Sequence, residues 1–82
     1  RTALSEQLNQ LGVKTWPSEA NFILAKISEN PGAEYVYQRL KSDHILVRHF
    51  DLDNLRDKIR ITVGSEEENK RFISSLKNIL KV

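Results

Sequence analysis

Apolar positions along the chain follow two rhythms. Ala3, Leu4, Leu8 and Leu11 recur at helical spacing, and Gly12 stands where a helix terminator belongs. A helix over residues 2–11 is predicted. In VKTWPSEA (13–20), Pro17 and Ser18 mark a bend or an irregular edge strand. NFILAKI (21–27) is β-like and apolar on both faces, as an internal strand would be. SENPG (28–32) is a turn. Ala33, Val36, Tyr37 and Leu40 return to helical spacing and predict a helix over 32–42. ILVRHF (45–50) predicts a second strand, and DLDNLRD (51–57) a polar connection longer than a hairpin turn. Ile59, Ile61 and Val63 alternate in a third strand over 58–63. Ser65 and Glu68 form a capping-box pair, with acidic residues at the positive end of the helix dipole. Phe72, Ile73, Leu76, Ile79 and Leu80 make a broad apolar stripe, so the last helix is expected over 66–80.

The predicted order is α, possible edge strand, β, α, β, β, α. It implies an α+β layer: a small, mainly antiparallel sheet of three or four strands with helices packed on one face. The 82 residues suit one domain with a modest core. No internal repeat, linker or low-complexity tract divides them.

Composition changes this picture little. Hydrophobic residues are 39% and charged residues 29%, an ordinary globular balance. The net charge of +2 is a weak argument for a polyanionic partner, and neither a nucleic acid nor a membrane is expected as one. With no cysteine there is no disulfide framework and no thiolate metal site. No apolar run approaches the roughly 20 residues of a membrane span, and a soluble, cytoplasmic protein is expected. The chain opens at Arg1, without Met, directly into a helical pattern. A piece of a longer polypeptide is expected; trimming of a tag is the alternative.

Most candidate chemistry is weak. Glu66, Glu67 and Glu68 suit capping better than metal binding. His44 and His49 flank a strand with no third ligand, so no metal site is expected. Gly64 alone does not make a phosphate loop. Trp16 beside Pro17 reads as a packing residue over a sheet edge. Two strand arginines stand apart. Arg48 shares a face with Leu46 and Phe50, and Arg60 with Lys58 and Thr62, away from the isoleucines. They are either solvated side chains on an open sheet face or a pair of guanidinium groups aimed at an anion. Arginine suits carboxylate and phosphate because its planar fork donates two parallel hydrogen bonds.

LG (11–12) followed by PSEANFIL (17–24), then ILVRHF (45–50), then IRITVGSEEENKRFISSLK (59–77) resemble the C-terminal small domain of histidinol-phosphate aminotransferases. These are class II aminotransferases of fold type I that use pyridoxal 5'-phosphate. The resemblance spans nearly all of residues 1–82. It implies that Arg60 holds the substrate α-carboxylate and that Arg48 helps bind the phosphate-bearing end. It implies amino-group transfer between L-histidinol phosphate and 2-oxoglutarate, in histidine biosynthesis, by a homodimeric parent. The Schiff-base lysine, the aspartate on the pyridine nitrogen and the cofactor's phosphate cup would lie in a large domain, and no residue here matches them. No catalytic and no cofactor-binding residue is therefore assigned to this chain, which is expected to be inactive alone. Alternatives are the small domain of a related class II aminotransferase or of threonine-phosphate decarboxylase. From a different class, a stand-alone ferredoxin-like binding module also alternates short strands and helices. An RNA-binding version would use strand aromatics, for which Phe22 and Phe50 are available, but no RNP-type pattern surrounds them.

Overall fold

The computed structural model describes residues 2–17 and 21–81. Its elements are α1 (Thr2–Gln10), β1 (Lys14–Pro17), β2 (Phe22–Lys26), α2 (Ala33–Ser42), β3 (Arg48–His49), β4 (Lys58–Thr62) and α3 (Glu66–Leu80). The expected α+β architecture is present. The strands form one sheet in the order β1-β2-β4-β3, and every neighbouring pair is antiparallel. Lys14–Pro17 makes the expected edge strand. Ser18, Glu19 and Ala20, the middle of the PSEANFIL motif, lie outside the described residues.

Strand parity decides which face is covered. Ile23 and Ala25 on β2, with Ile59 and Ile61 on β4, are all buried in one cluster. Leu4 and Leu8 of α1, Ala33, Val36 and Leu40 of α2, and Phe72, Ile73, Leu76 and Ile79 of α3 belong to it, with Val13, Ile27 and Val47 from the connecting segments. All three helices thus lie on a single face of the sheet, because each has only one apolar stripe to bury. Ala3, included in the first helical stripe by its spacing, is exposed instead. A lone methyl group at the start of a helix has little to gain from the core.

Local chemistry ends the helices where the pattern suggested. Gly12 has φ 83°, and Val13 N–H and Gly12 N–H return to the carbonyls of Leu8 and Asn9. This is a Schellman closure of α1. The same closure ends α2, with His44 at φ 63° and Ile45 N–H on the Leu40 carbonyl at 2.8 Å. His44 is therefore a helix-terminating residue in a position that usually favours glycine. At the start of α3 the capping box is complete. Glu68 N–H donates to Ser65 Oγ at 3.1 Å, and Ser65 N–H donates to Glu68 Oε1 at 2.8 Å. Arg71 and Ser75 of α3 both donate to Asp43, the first at 2.7 Å to its carbonyl, and so tie α3 to the end of α2.

One expectation fails in part. The strand predicted over 45–50 pairs only at Arg48 and His49. Its alternation persists, with Val47 buried and Leu46 76% exposed, but most of it is extended chain without ladder partners. The segment enters from the His44 turn and leaves at once into the 51–57 connection, so only its middle reaches the β4 edge. In that connection Arg56 bridges Asp51 at 2.7 Å and Asp53 at 3.0 Å, and its carbonyl pairs with His49 Nε2 at 2.8 Å.

Candidate functional site

The sheet face opposite the helices carries the side chains that the core rejects. Cross-strand register places them. Trp16 lies opposite Leu24, Leu24 opposite Arg60, and Arg60 opposite Arg48. One row thus runs Trp16, Leu24, Arg60, Arg48 across all four strands. A parallel row runs Lys14, Lys26, Lys58. Phe22 lies opposite Thr62 on the far side of Arg60.

Arg48 and Arg60, separated by eleven residues of chain, are direct cross-strand neighbours. Like charges facing one another in a sheet are unfavourable. Among the described residues neither guanidinium has a carboxylate partner. Aromatic rings sit beside them instead. The Arg60 guanidinium lies 4.2 Å from the Phe22 ring centroid and 5.7 Å from that of Phe50, and Arg48 is 5.7 Å from the same Phe50 ring. Arg60 is half-buried and its Nε has no hydrogen-bond partner among the described residues. Arg48 is exposed. A buried donor without a partner is costly. Such a pair is chemically suited to an anion that supplies acceptors and relieves the repulsion.

The other residues singled out from the sequence have structural employment. Trp16 is half-buried on the edge strand, with the ammonium groups of Lys14 and Lys58 at 5.2 and 5.4 Å from its ring. Glu66, Glu67 and Glu68 occupy the first turn of α3. His49 packs near Tyr37, with ring centroids 6.1 Å apart. Among the described residues no group of histidines and carboxylates is arranged to hold a metal ion.

The aromatic neighbours of Arg60 were not assigned to a site by the sequence pattern. Phe22 lies in a strand that is apolar on both faces, which hides its partner. Only the diagonal offset across β2 and β4 reveals it.

Pyridoxal phosphate does not fit the side chains present. A lysine that forms a Schiff base is activated by desolvation or by another cationic group. Lys58, with 21% of its side chain exposed, donates to Asp57 at 3.0 Å and to the Asn54 carbonyl at 2.9 Å. This hydrogen bond also holds the Asp57 carboxyl below its ordinary value. The remaining described lysines are exposed. No cofactor cradle can be assembled from them.

The chain is 44% identical over 81 residues to histidinol-phosphate aminotransferase 1 of Trichormus variabilis, which covers 99% of this chain and 23% of that protein. It is 46% identical over 69 residues to histidinol-phosphate aminotransferase of Clostridium kluyveri, covering 84% of this chain and 19% of the relative. The crystal structure of the histidinol-phosphate aminotransferase from Clostridium acetobutylicum superposes with a TM-score of 0.83 at 26% identity, over 99% of this chain and 25% of that one. The chain thus spans about a fifth to a quarter of the length of these relatives. The aminotransferase class I and II family matches residues 1–76, nearly the whole sequence, and it gives the stand-alone binding module no support. An uncovered sheet face with a cross-strand arginine pair and this extent of matching lead to one assignment: the chain belongs to the aminotransferase class I and II family.

Proposed function

We propose that this chain is the substrate-binding small domain of a histidinol-phosphate aminotransferase. In this reading it is the C-terminal part of a longer polypeptide. A large domain of the same polypeptide binds pyridoxal 5'-phosphate and supplies the catalytic lysine, and the parent enzyme is a cytoplasmic homodimer. The reaction moves an amino group between L-histidinol phosphate and 2-oxoglutarate. The cofactor provides the electron sink for that chemistry, and the small domain binds and orients the substrates.

The Arg48–Arg60 pair carries the reading, because it sets two guanidinium groups, without a carboxylate partner among the described residues, side by side on the face that no helix covers. Arg60, the more buried of the two, grips the carboxylate of 2-oxoglutarate through its fork. Arg48, more exposed, reaches the phosphate end of the longer substrate. The relatives named for histidinol phosphate favour that substrate over those of other class II enzymes.

Steady-state kinetics of the full-length enzyme test the roles separately. Arg60→Ala is expected to impair the half-reaction of 2-oxoglutarate, the substrate that carries a carboxylate, with a loss of about 10²–10³-fold in kcat/KM, the scale of truncating a charge-assisted pair in a partly dry cleft. Arg60→Lys rescues only partly, since an ammonium lacks the fork. Arg48→Ala weakens histidinol phosphate strongly and an unphosphorylated amino acid little. Equal losses on both donors would remove the phosphate assignment. Near-wild-type kinetics for Arg60→Ala would overturn the aminotransferase role of this strand.

A further inference from the structure

Among the described residues, aromatic rings rather than hydrogen bonds lie against the Arg60 guanidinium. Its strand, β4, is flanked by β2 and β3, and each flanking segment brings one phenylalanine to it. Phe22 stands opposite Thr62 and therefore diagonal to Arg60. Phe50 follows the β3 pairing of Arg48 and His49 and approaches from the other side. Diagonal cross-strand neighbours are within reach of aromatic and long side chains. The ring faces are negative and attract a guanidinium.

Chemistry separates this arrangement from an ordinary ion pair. A carboxylate partner would orient Arg60 but would consume the N–H donors of its fork. A ring restrains the cation through its face and consumes no donor. Among the described residues no acceptor reaches the buried Arg60 Nε. Phe50 lies at the same 5.7 Å from Arg48 and Arg60, so one ring steadies both cations despite their mutual repulsion.

We propose that Phe22, with Phe50, is a positioning residue that holds the Arg60 guanidinium ready for the substrate carboxylate while leaving its donors free. This inference rests on the carboxylate-binding role of Arg60 given above.

The test uses the full-length holoenzyme. Phe22→Leu keeps apolar bulk and removes the ring. It is expected to raise KM for 2-oxoglutarate about 3- to 10-fold, the range of a cation–π contact, with kcat little changed. Phe22→Tyr, which restores a ring, should return KM to near the wild-type value. In an Arg60→Ala background, Phe22→Leu should add nothing, because the cation it positions is gone. Phe50→Leu, at the sheet edge, should give a smaller effect of the same kind and serves if Phe22→Leu fails to fold. A wild-type KM in Phe22→Leu, or a loss that persists undiminished in the Arg60→Ala background, would overturn the positioning role alone. Wild-type kinetics in Arg60→Ala would instead remove the reading beneath it.

Discussion

At the residue scale, Glu68 shows how one side chain joins local structure to pH. The Ser65 backbone N–H, and secondarily the Ser65 side chain, hold its carboxyl below the ordinary carboxylate value. A carboxyl depressed in the folded state stabilises the protein above its unfolded value, and that contribution disappears as pH falls through the lowered folded value. Thermal midpoints should therefore decline on acidification through the carboxylate range. Glu68→Gln keeps an acceptor for the Ser65 N–H but cannot titrate, so its acid limb should be shallower than that of the wild type. Parallel limbs would show that the capping carboxylate contributes nothing to acid sensitivity. Gly64 belongs to the same device. A Cβ there would lie 2.6 Å from Glu68 Oε1, so the glycine makes room for the reaching carboxylate.

At the element scale, α3 carries the largest share of one-sided apolar surface, with Phe72, Ile73, Leu76 and Ile79 all buried. Leu76 is fully withdrawn from solvent, and its neighbours belong to the single core cluster. Leu76→Ala should destabilise the protein by about 2–5 kcal/mol, since a transfer loss and a residual cavity add. Chemical denaturation with an unchanged m-value would measure this cleanly. A neutral result would mean that α3 does not pack on the sheet as described. The short β3 has a different logic. Its two paired residues contribute little ladder, yet they set Arg48 beside Arg60. An element of marginal structural weight thus places half of the arginine pair.

At the scale of the whole molecule, the helices lie on one sheet face, and Trp16, Phe22, Lys58 and Arg60 lie on the other. Among the described residues, no lysine is placed to anchor a pyridoxal cofactor. Mixed with pyridoxal phosphate, this 82-residue chain should show only weak, unsaturating visible absorbance from exposed amines. A saturable band abolished by replacing one particular lysine would contradict that expectation and place cofactor chemistry within the chain. Among the described residues, no helix is long and apolar enough to cross a membrane.

Much of this molecule was legible in linear order because the relevant physics is local. Gly12, the Ser65–Glu68 box and the spacing from Phe72 to Leu80 act within a few residues, so helix ends and buried stripes follow from them. Alternation in KIRIT likewise put Arg60 on the face opposite Ile59 and Ile61. His44 hid its helix-terminating role because a non-glycine residue rarely takes φ 63°. The length of β3 was hidden too, since a ladder needs a partner strand as well as a β-prone run. The order β1-β2-β4-β3 depends on long-range pairing, and from that order come the Arg48–Arg60 juxtaposition and the ring of Phe22 beside Arg60. Side-chain parity is a property of one strand. Which side chain stands across from it is a property of two, and becomes definite only when the sheet closes on its core.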